Sequence, residues 1–117
     1  ALLVQLQEQI WPLPPSVEAF YEQLMARESF WDLPLKIFIL AFVPALCEEF
    51  LFRGLIQGMM VSSFGTWPGI LLTALFFAIA HVNPWYFLYY FGLGIYLGWL
   101  RDWRNNLILC MLAHFAN

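Results

Sequence analysis

Charge is scarce in this chain. Lys, Arg, Asp and Glu together make up 11% of its 117 residues, against about 25% in an ordinary soluble domain. The net charge is −3 and no basic run occurs anywhere. Nucleic acid as a partner therefore lacks its electrostatic footprint. Cysteine is nearly absent: Cys47 and Cys110 are the two, both inside apolar segments. That excludes a disulfide framework and a CxxC zinc pattern, and both thiols read as small buried hydrophobes. The zincin signature HExxH is missing too. So is a signal peptide, because the first residues carry neither a basic n-region nor a cleavage site. The start at Ala1 without Met and the stop at Asn117 inside an apolar segment read as a domain cut from a longer protein.

What is present is apolar mass. Hydrophobic residues make up 62% and aromatics 20%. A soluble chain this small cannot wholly bury every helix, and the helices expected between 66 and 100 show no polar face. Helices apolar all round belong in lipid or deep in a core. The expected fold is therefore all-α, a polytopic membrane helical bundle with about four apolar helices and an N-terminal amphipathic helix.

Residues 1–32 form the N-terminal segment. Its first ten read as the end of an earlier helix, and "WPLPPS" (11–16) is a break. Ser16 is placed to cap a helix running to about Arg27. Val17, Phe20, Tyr21, Leu24 and Met25 form one stripe, with Glu18, Glu22 and Glu28 off it. The acidic face argues for packing against the other helices. The core is expected over 33–117, truncated at its C-terminus. Pro44 should kink or thin the first long apolar helix. "SSFGTWPG" (62–69) reads as a turn, Asn83-Pro84 as an interruption and "RDWRNN" (101–106) as the most polar loop. Trp67, Trp85, Trp99 and Trp103 sit at span ends, as an interfacial belt requires. Gly92, Gly94 and Gly98 allow close helix approach. Arg101 and Arg104 on one side and Arg27 and Lys36 on the other give no majority for orientation.

Few polar groups lie at membrane depth, where a charge costs roughly 2.5–3.5 kcal/mol on insertion scales. They are Glu48, Glu49, Arg53, Gln57, His81, Asn83, His114 and Asn117. Glu49 and Arg53 are four apart on one helix face and can form an ion pair. Glu48 projects about 100° away, with Phe52 and Pro44 as its neighbours one turn off. It needs partners from other helices. His81, at the end of the FxxxH spacing from Phe77, and the pair His114/Asn117 can supply them. A carboxylate and an imidazole sharing a water can activate it for attack on a carbonyl. A His or Asn side chain can donate to the resulting oxyanion. Zinc held by Glu48, His81 and His114 is the alternative. A thiol mechanism with Cys110 and His114, spaced i, i+4, lacks a third orienting group. Ser62 and Ser63 fall in a turn with no His at helical spacing.

"EEFLFRG" (48–54) resembles the EExxxR signature of the CAAX protease and bacteriocin-processing family of intramembrane endopeptidases. "FFAIAH" (76–81) resembles its FxxxH motif, and "HFAN" (114–117) its final His/Asn motif. All three occur in the family's order, one per apolar helix, within 33–117. The resemblance implies an active site inside the bilayer and a peptide or protein substrate, prenylated in the CAAX-processing members. It implies that Glu48 and His81 activate the water, with both Glu48 and Glu49 essential. His114 and Asn117 would form the oxyanion hole, while Arg53 and Phe77 brace the site. The family's last motif is written HxxxN, whereas His114 and Asn117 are spaced HxxN. The expected location is a membrane, the bacterial inner membrane. The competing expectation is a non-catalytic membrane protein, of immunity type, using the same cluster to bind a peptide or an ion.

Overall fold

The computed structural model describes residue 9 and residues 11–26 and 29–117. The rest of the opening stretch, Arg27 and Glu28 lie outside the described residues. All regular structure among the described residues is helical.

Helix α1 spans Pro15–Met25. Its N-cap is Pro14 and no side chain caps it, so Ser16 lies inside the first turn rather than ahead of it. Pro15 explains the shift: its fixed φ and missing N–H suit the first helical position. None of the α1 residues is buried. Of the stripe, Tyr21 reaches the chain ahead of the sixth helix: its ring lies edge-on to Tyr86 at 6.2 Å. Its hydroxyl accepts from Asn83 Nδ2 at 2.8 Å.

A long helical path follows: α2 (Asp32–Ile37), a π-helical turn (Phe38–Phe42), α3 (Val43–Glu49), a second π-helical turn (Phe50–Ile56) and α4 (Gln57–Phe64). Every junction residue keeps right-handed helical dihedrals. In the wide turns the Val43 N–H donates to Phe38 O, and the Gln57 N–H to Phe52 O, five residues back. The first ends just before Pro44, which has no N–H to give and whose ring would clash with the carbonyl of Leu40 in a regular α-helix. The expected disturbance ahead of the glutamates is thus a π-turn. The second has no proline to cause it.

The reversal expected over 62–69 shrinks to Gly65, at φ 86°, where only glycine is unstrained. Ser62 stays helical, with Oγ donating to Met59 O at 2.9 Å. Helix α5 (Thr66–Ala80) follows, then a 3₁₀ turn (Pro84–Tyr86), α6 (Phe87–Arg104) and α7 (Leu107–Phe115). The expected loop 101–106 is likewise mostly helix. Asn105, left-handed at φ 46°, closes α6, and Asn106 Oδ1 accepts the Leu109 N–H to open α7.

Glycines let the helices touch. A Cβ on Gly94 would lie 2.9 Å from Ala74 Cα, and one on Gly69 would lie 2.6 Å from Val61 N. So α4, α5 and α6 pack backbone to backbone, with α7 against α3 and α6. The core between them is small and mixes Ala45, Ile70, Phe77, Leu97 and Cys110 with buried Glu49 and Arg53. Cys47, expected to be buried, faces outward, because Ala45 and Glu49 take the inward side of α3. Taken singly, no helix among the described residues is long and apolar enough to cross a membrane.

Candidate active site

Glu49 and Arg53 lie at the centre. Both are fully buried, and Arg53 Nη1 donates to Glu49 Oε1 at 2.8 Å. The pair is not self-contained, as a helix-face pairing alone would have it. Arg53 Nη2 donates to Gly94 O on α6 at 3.1 Å, and the guanidinium lies 4.4 Å from the centre of the Phe77 ring. The second π-turn holds Arg53 between these partners. Such turns recur at functional sites.

The same Glu49 Oε1 meets His114 Nδ1 from α7 at 2.9 Å. A carboxylate paired with Arg53 can only accept, which puts the proton on Nδ1. Glu49 therefore fixes the ring and tautomer of His114. His81 is fixed the same way: its Nδ1 donates to Phe77 O at 2.8 Å. Its ring stacks on Tyr90 at 3.9 Å and leans on Phe77 at 4.6 Å. Phe77 also contacts the His114 ring at 5.7 Å and Phe52 at 5.2 Å. One phenyl ring thus spaces both imidazoles and the guanidinium.

Glu48 faces the two free imidazole nitrogens. Its Oε2 is 3.6 Å from His81 Nε2 and 3.9 Å from His114 Nε2. Those distances exceed a direct hydrogen bond. Oε2 has no hydrogen-bond partner among the described residues. Helices α3, α5 and α7 thus bring the three groups together from positions far apart in the chain. They line a cavity of about 350 Å³ that also takes in Pro44, Tyr89 and Asn117. Asn117 Nδ2 donates to the Tyr89 hydroxyl.

The chain between His81 and α6 is bent by Val82, a β-branched residue at φ 49°. That conformation is strained for valine. It turns Asn83 so that its Oδ1 accepts from Trp85 N and Tyr86 N. The tyrosines that follow are then carried past His81.

Tyr89 and Tyr90 were not foreseen as site residues; they read as part of an apolar span. Their only signal is a pair of hydroxyls soon after Asn83-Pro84. Cys110 does not point at the site. It is fully buried, with its Sγ donating toward Leu97 O and Asn106 O. Among the described residues no group of three or more His, Cys, Asp or Glu side chains is placed to hold a metal ion. The zinc set Glu48, His81 and His114 is among the groups so excluded as arranged.

Residues 30–117 match the family described as Rce1-like, type II CAAX prenyl endopeptidase Rce1-like. The chain belongs to the Rce1-like family. The match spans the three motif-bearing helices α3, α5 and α7 and leaves α1 outside. Rce1-like proteins are membrane proteins and the family is one of proteases. Neither a curated protein nor a solved structure matches this chain.

Proposed function

We propose that this chain is the catalytic core of an intramembrane endopeptidase that hydrolyses a peptide bond with a water activated by Glu48. The observation that carries the reading is the convergence of Glu48 Oε2 with His81 Nε2 and His114 Nε2 at 3.6 and 3.9 Å. A water between these atoms can donate one hydrogen to Glu48 Oε2 and the other to one of the two Nε2 atoms, since a gap of this size suits one bridging molecule. Both imidazoles carry their proton on Nδ1, so their neutral Nε2 atoms accept. Glu48 takes one proton from the water as its oxygen bonds to the carbonyl carbon. The carbonyl becomes an oxyanion. When the C–N bond breaks, that proton passes to the leaving nitrogen.

Asn117 keeps one N–H beyond the one given to Tyr89 and is the candidate oxyanion donor. His114 can share that role only when Nε2 carries a second proton. Glu49, which the resemblance makes essential, acts as a positioning residue: it is fully buried and works through His114. Arg53 and Phe77 hold Glu49 and the rings in place.

The bilayer reading rests on surface chemistry. The long path from Asp32 to Phe64 turns Phe38, Phe50 and Leu55 outward, each more than half exposed. Helix α5 does the same with Ile79, and α7 with Ile108 and Leu112. Lipid is the solvent that such a surface fits. The path from Asp32 to Phe64 covers more than about 40 Å at ~1.5 Å per α-helical residue, enough to cross a ~30 Å core. Trp67 and Trp103 are exposed at helix ends, as an interfacial belt would have them.

The test is cleavage by the purified protein in liposomes. Prenylated and unprenylated forms of one C-terminal peptide are offered, and products are read by mass spectrometry. Release of a C-terminal fragment that survives a chelator supports a metal-free glutamate mechanism. Loss on chelation, restored by zinc, overturns that mechanism. Cleavage of the prenylated form alone places the chain with CAAX processing. Saturable peptide binding without cleavage would favour the non-catalytic reading.

A further inference from the structure

The Glu49–Arg53 pair has a second side. Away from the catalytic cavity, a separate cavity of about 390 Å³ lies between α4 and the end of α6. It is lined by Arg53, Gln57, Gly58, Arg101, Asp102 and Asn105. It shares no lining residue with the cavity that holds Glu48. Arg53 lines this cavity and pairs with Glu49, which in turn holds His114 of the catalytic cavity.

Three buried polar atoms on these side chains have no hydrogen-bond partner among the described residues: Arg53 Nε, Gln57 Oε1 and Arg101 Nε. Arg53 is 1% and Gln57 4% exposed. Their other polar atoms are engaged: Arg53 with Glu49 and Gly94 O, and Gln57 Nε2 with Gly98 O at 2.8 Å. Arg101 Nη1 donates to Asn105 Oδ1. Unpaired buried groups of this kind are costly and call for a partner.

The chemistry of the missing partner can be read from the orphans. Two guanidinium N–H groups want an acceptor, and oxyanions suit them best. Gln57 Oε1 wants a donor, and the exposed Asp102 carboxylate on the same lining can accept from one. Asp102 offsets Arg101 and the buried Glu49 behind the lining offsets Arg53, so the lining taken together with Glu49 carries no net charge. A zwitterionic or hydroxyl-bearing phosphate therefore fits better than a bare multivalent anion. We propose that this cavity binds a phosphate group that carries a hydrogen-donating substituent, an ammonium or a hydroxyl. The phosphate faces Arg53 Nε and Arg101 Nε, and the donor faces Gln57 Oε1 and Asp102. Two sources offer that chemistry: the headgroup of a phospholipid, and free phosphate. The lipid source rests on the bilayer reading above; the free-ion source does not.

Gly58 supplies the decisive variant. A Cβ there would meet nothing within 4 Å, so Gly58→Leu puts bulk into the cavity without displacing backbone. Arg101→Gln removes the charged donor at the mouth. Neither residue belongs to the catalytic constellation. Thermal unfolding is followed in detergent micelles doped with phosphatidylethanolamine or phosphatidylcholine, and separately with inorganic phosphate. The expected result is a saturable rise in Tm with phosphatidylethanolamine and none with phosphatidylcholine, whose quaternary ammonium has no N–H. Gly58→Leu should abolish it, and Arg101→Gln should weaken the apparent affinity about tenfold or more. An equal, saturable effect of inorganic phosphate, lost in both variants, supports the site with the free ion as its source. The proposal is overturned by no saturable effect of either, by equal effects of the two lipids, or by effects that both variants leave intact. Peptidase activity does not enter the readout, so failure here leaves the catalytic proposal standing.

Discussion

Replacing Arg53 by alanine should unfold the protein well before it reveals anything about chemistry. The side chain is 1% exposed and its partner Glu49 0%. Arg53→Ala leaves a carboxylate at the centre of the bundle with His114 Nδ1 as its one remaining hydrogen-bond donor among the described residues. Breaking such a buried pair costs about 3–5 kcal/mol. The lost hydrogen bond to Gly94 O and the contact with the Phe77 ring belong to the same event and are not added on top. For a chain of this size, a loss of that order lowers Tm by more than about 10 °C. The assay is thermal unfolding in detergent, followed by tryptophan fluorescence. A double variant gives the control. Glu49→Leu with Arg53→Met removes both charges at similar volume, and well-packed apolar replacements of buried pairs are often neutral or better. The double variant should recover at least half of the lost stability. It should not recover peptidase activity, because His114 has lost the group that orients it. Arg53→Ala with wild-type Tm would refute the reasoning. So would a double variant as unstable as the single one.

Two glycines on neighbouring helices should respond in opposite ways. Gly69→Ala forces a methyl within 2.6 Å of Val61 backbone and should destabilise by about 1–3 kcal/mol, whereas Gly58→Ala meets open space and should stabilise by up to about 1 kcal/mol; unfolding of the two variants side by side checks this. Tyr90→Phe should keep activity near wild type, since the His81 contact is a ring stack at 3.9 Å, while Tyr90→Ala should lower kcat about tenfold or more with little change in KM. Thiol-blocking reagents should leave cleavage intact, because Cys110 is sealed in the core and Cys47 faces outward; inactivation that persists in a Cys47→Ser variant would contradict this.

The sequence exposes the logic of the site better than its geometry. The isolation of Glu48 among apolar neighbours is enough to predict partners from other helices, and His81 and His114 are the side chains that arrive. The i, i+4 spacing predicts the Glu49–Arg53 contact. What local spacing cannot show is that Glu49 Oε1 is shared with His114, 65 positions away. A helix-face argument sees only one helix, so Glu49 looks satisfied when it is also orienting an imidazole. The tyrosines are hidden for another reason. In "WYFLYY" they count as apolar bulk, and only the bend at Val82 and the Asn83 cap carry them to His81. Helix ends were misread where single residues do the turning. Gly65 alone replaces an eight-residue turn, and α6 runs through Arg104 because the polar residues Arg101, Asp102 and Arg104 are compatible with a helix leaving its apolar surroundings. Pro44 gave true warning of a disturbed helix; nothing comparable announces the second π-turn around Arg53.

The most direct test concerns one oxygen atom. Glu48→Gln keeps the shape and much of the hydrogen bonding of the side chain but cannot take a proton from water. The side chain is 30% exposed and Oε2 forms no hydrogen bond with any described residue, so unfolding should be unchanged within about 0.5 kcal/mol, as for other substitutions away from buried partners. With folding intact, the single-turnover rate of peptide cleavage should fall about 10²–10⁴-fold, the range for loss of a general base. Cleavage by the folded Glu48→Gln protein at the wild-type rate would contradict the account at its centre.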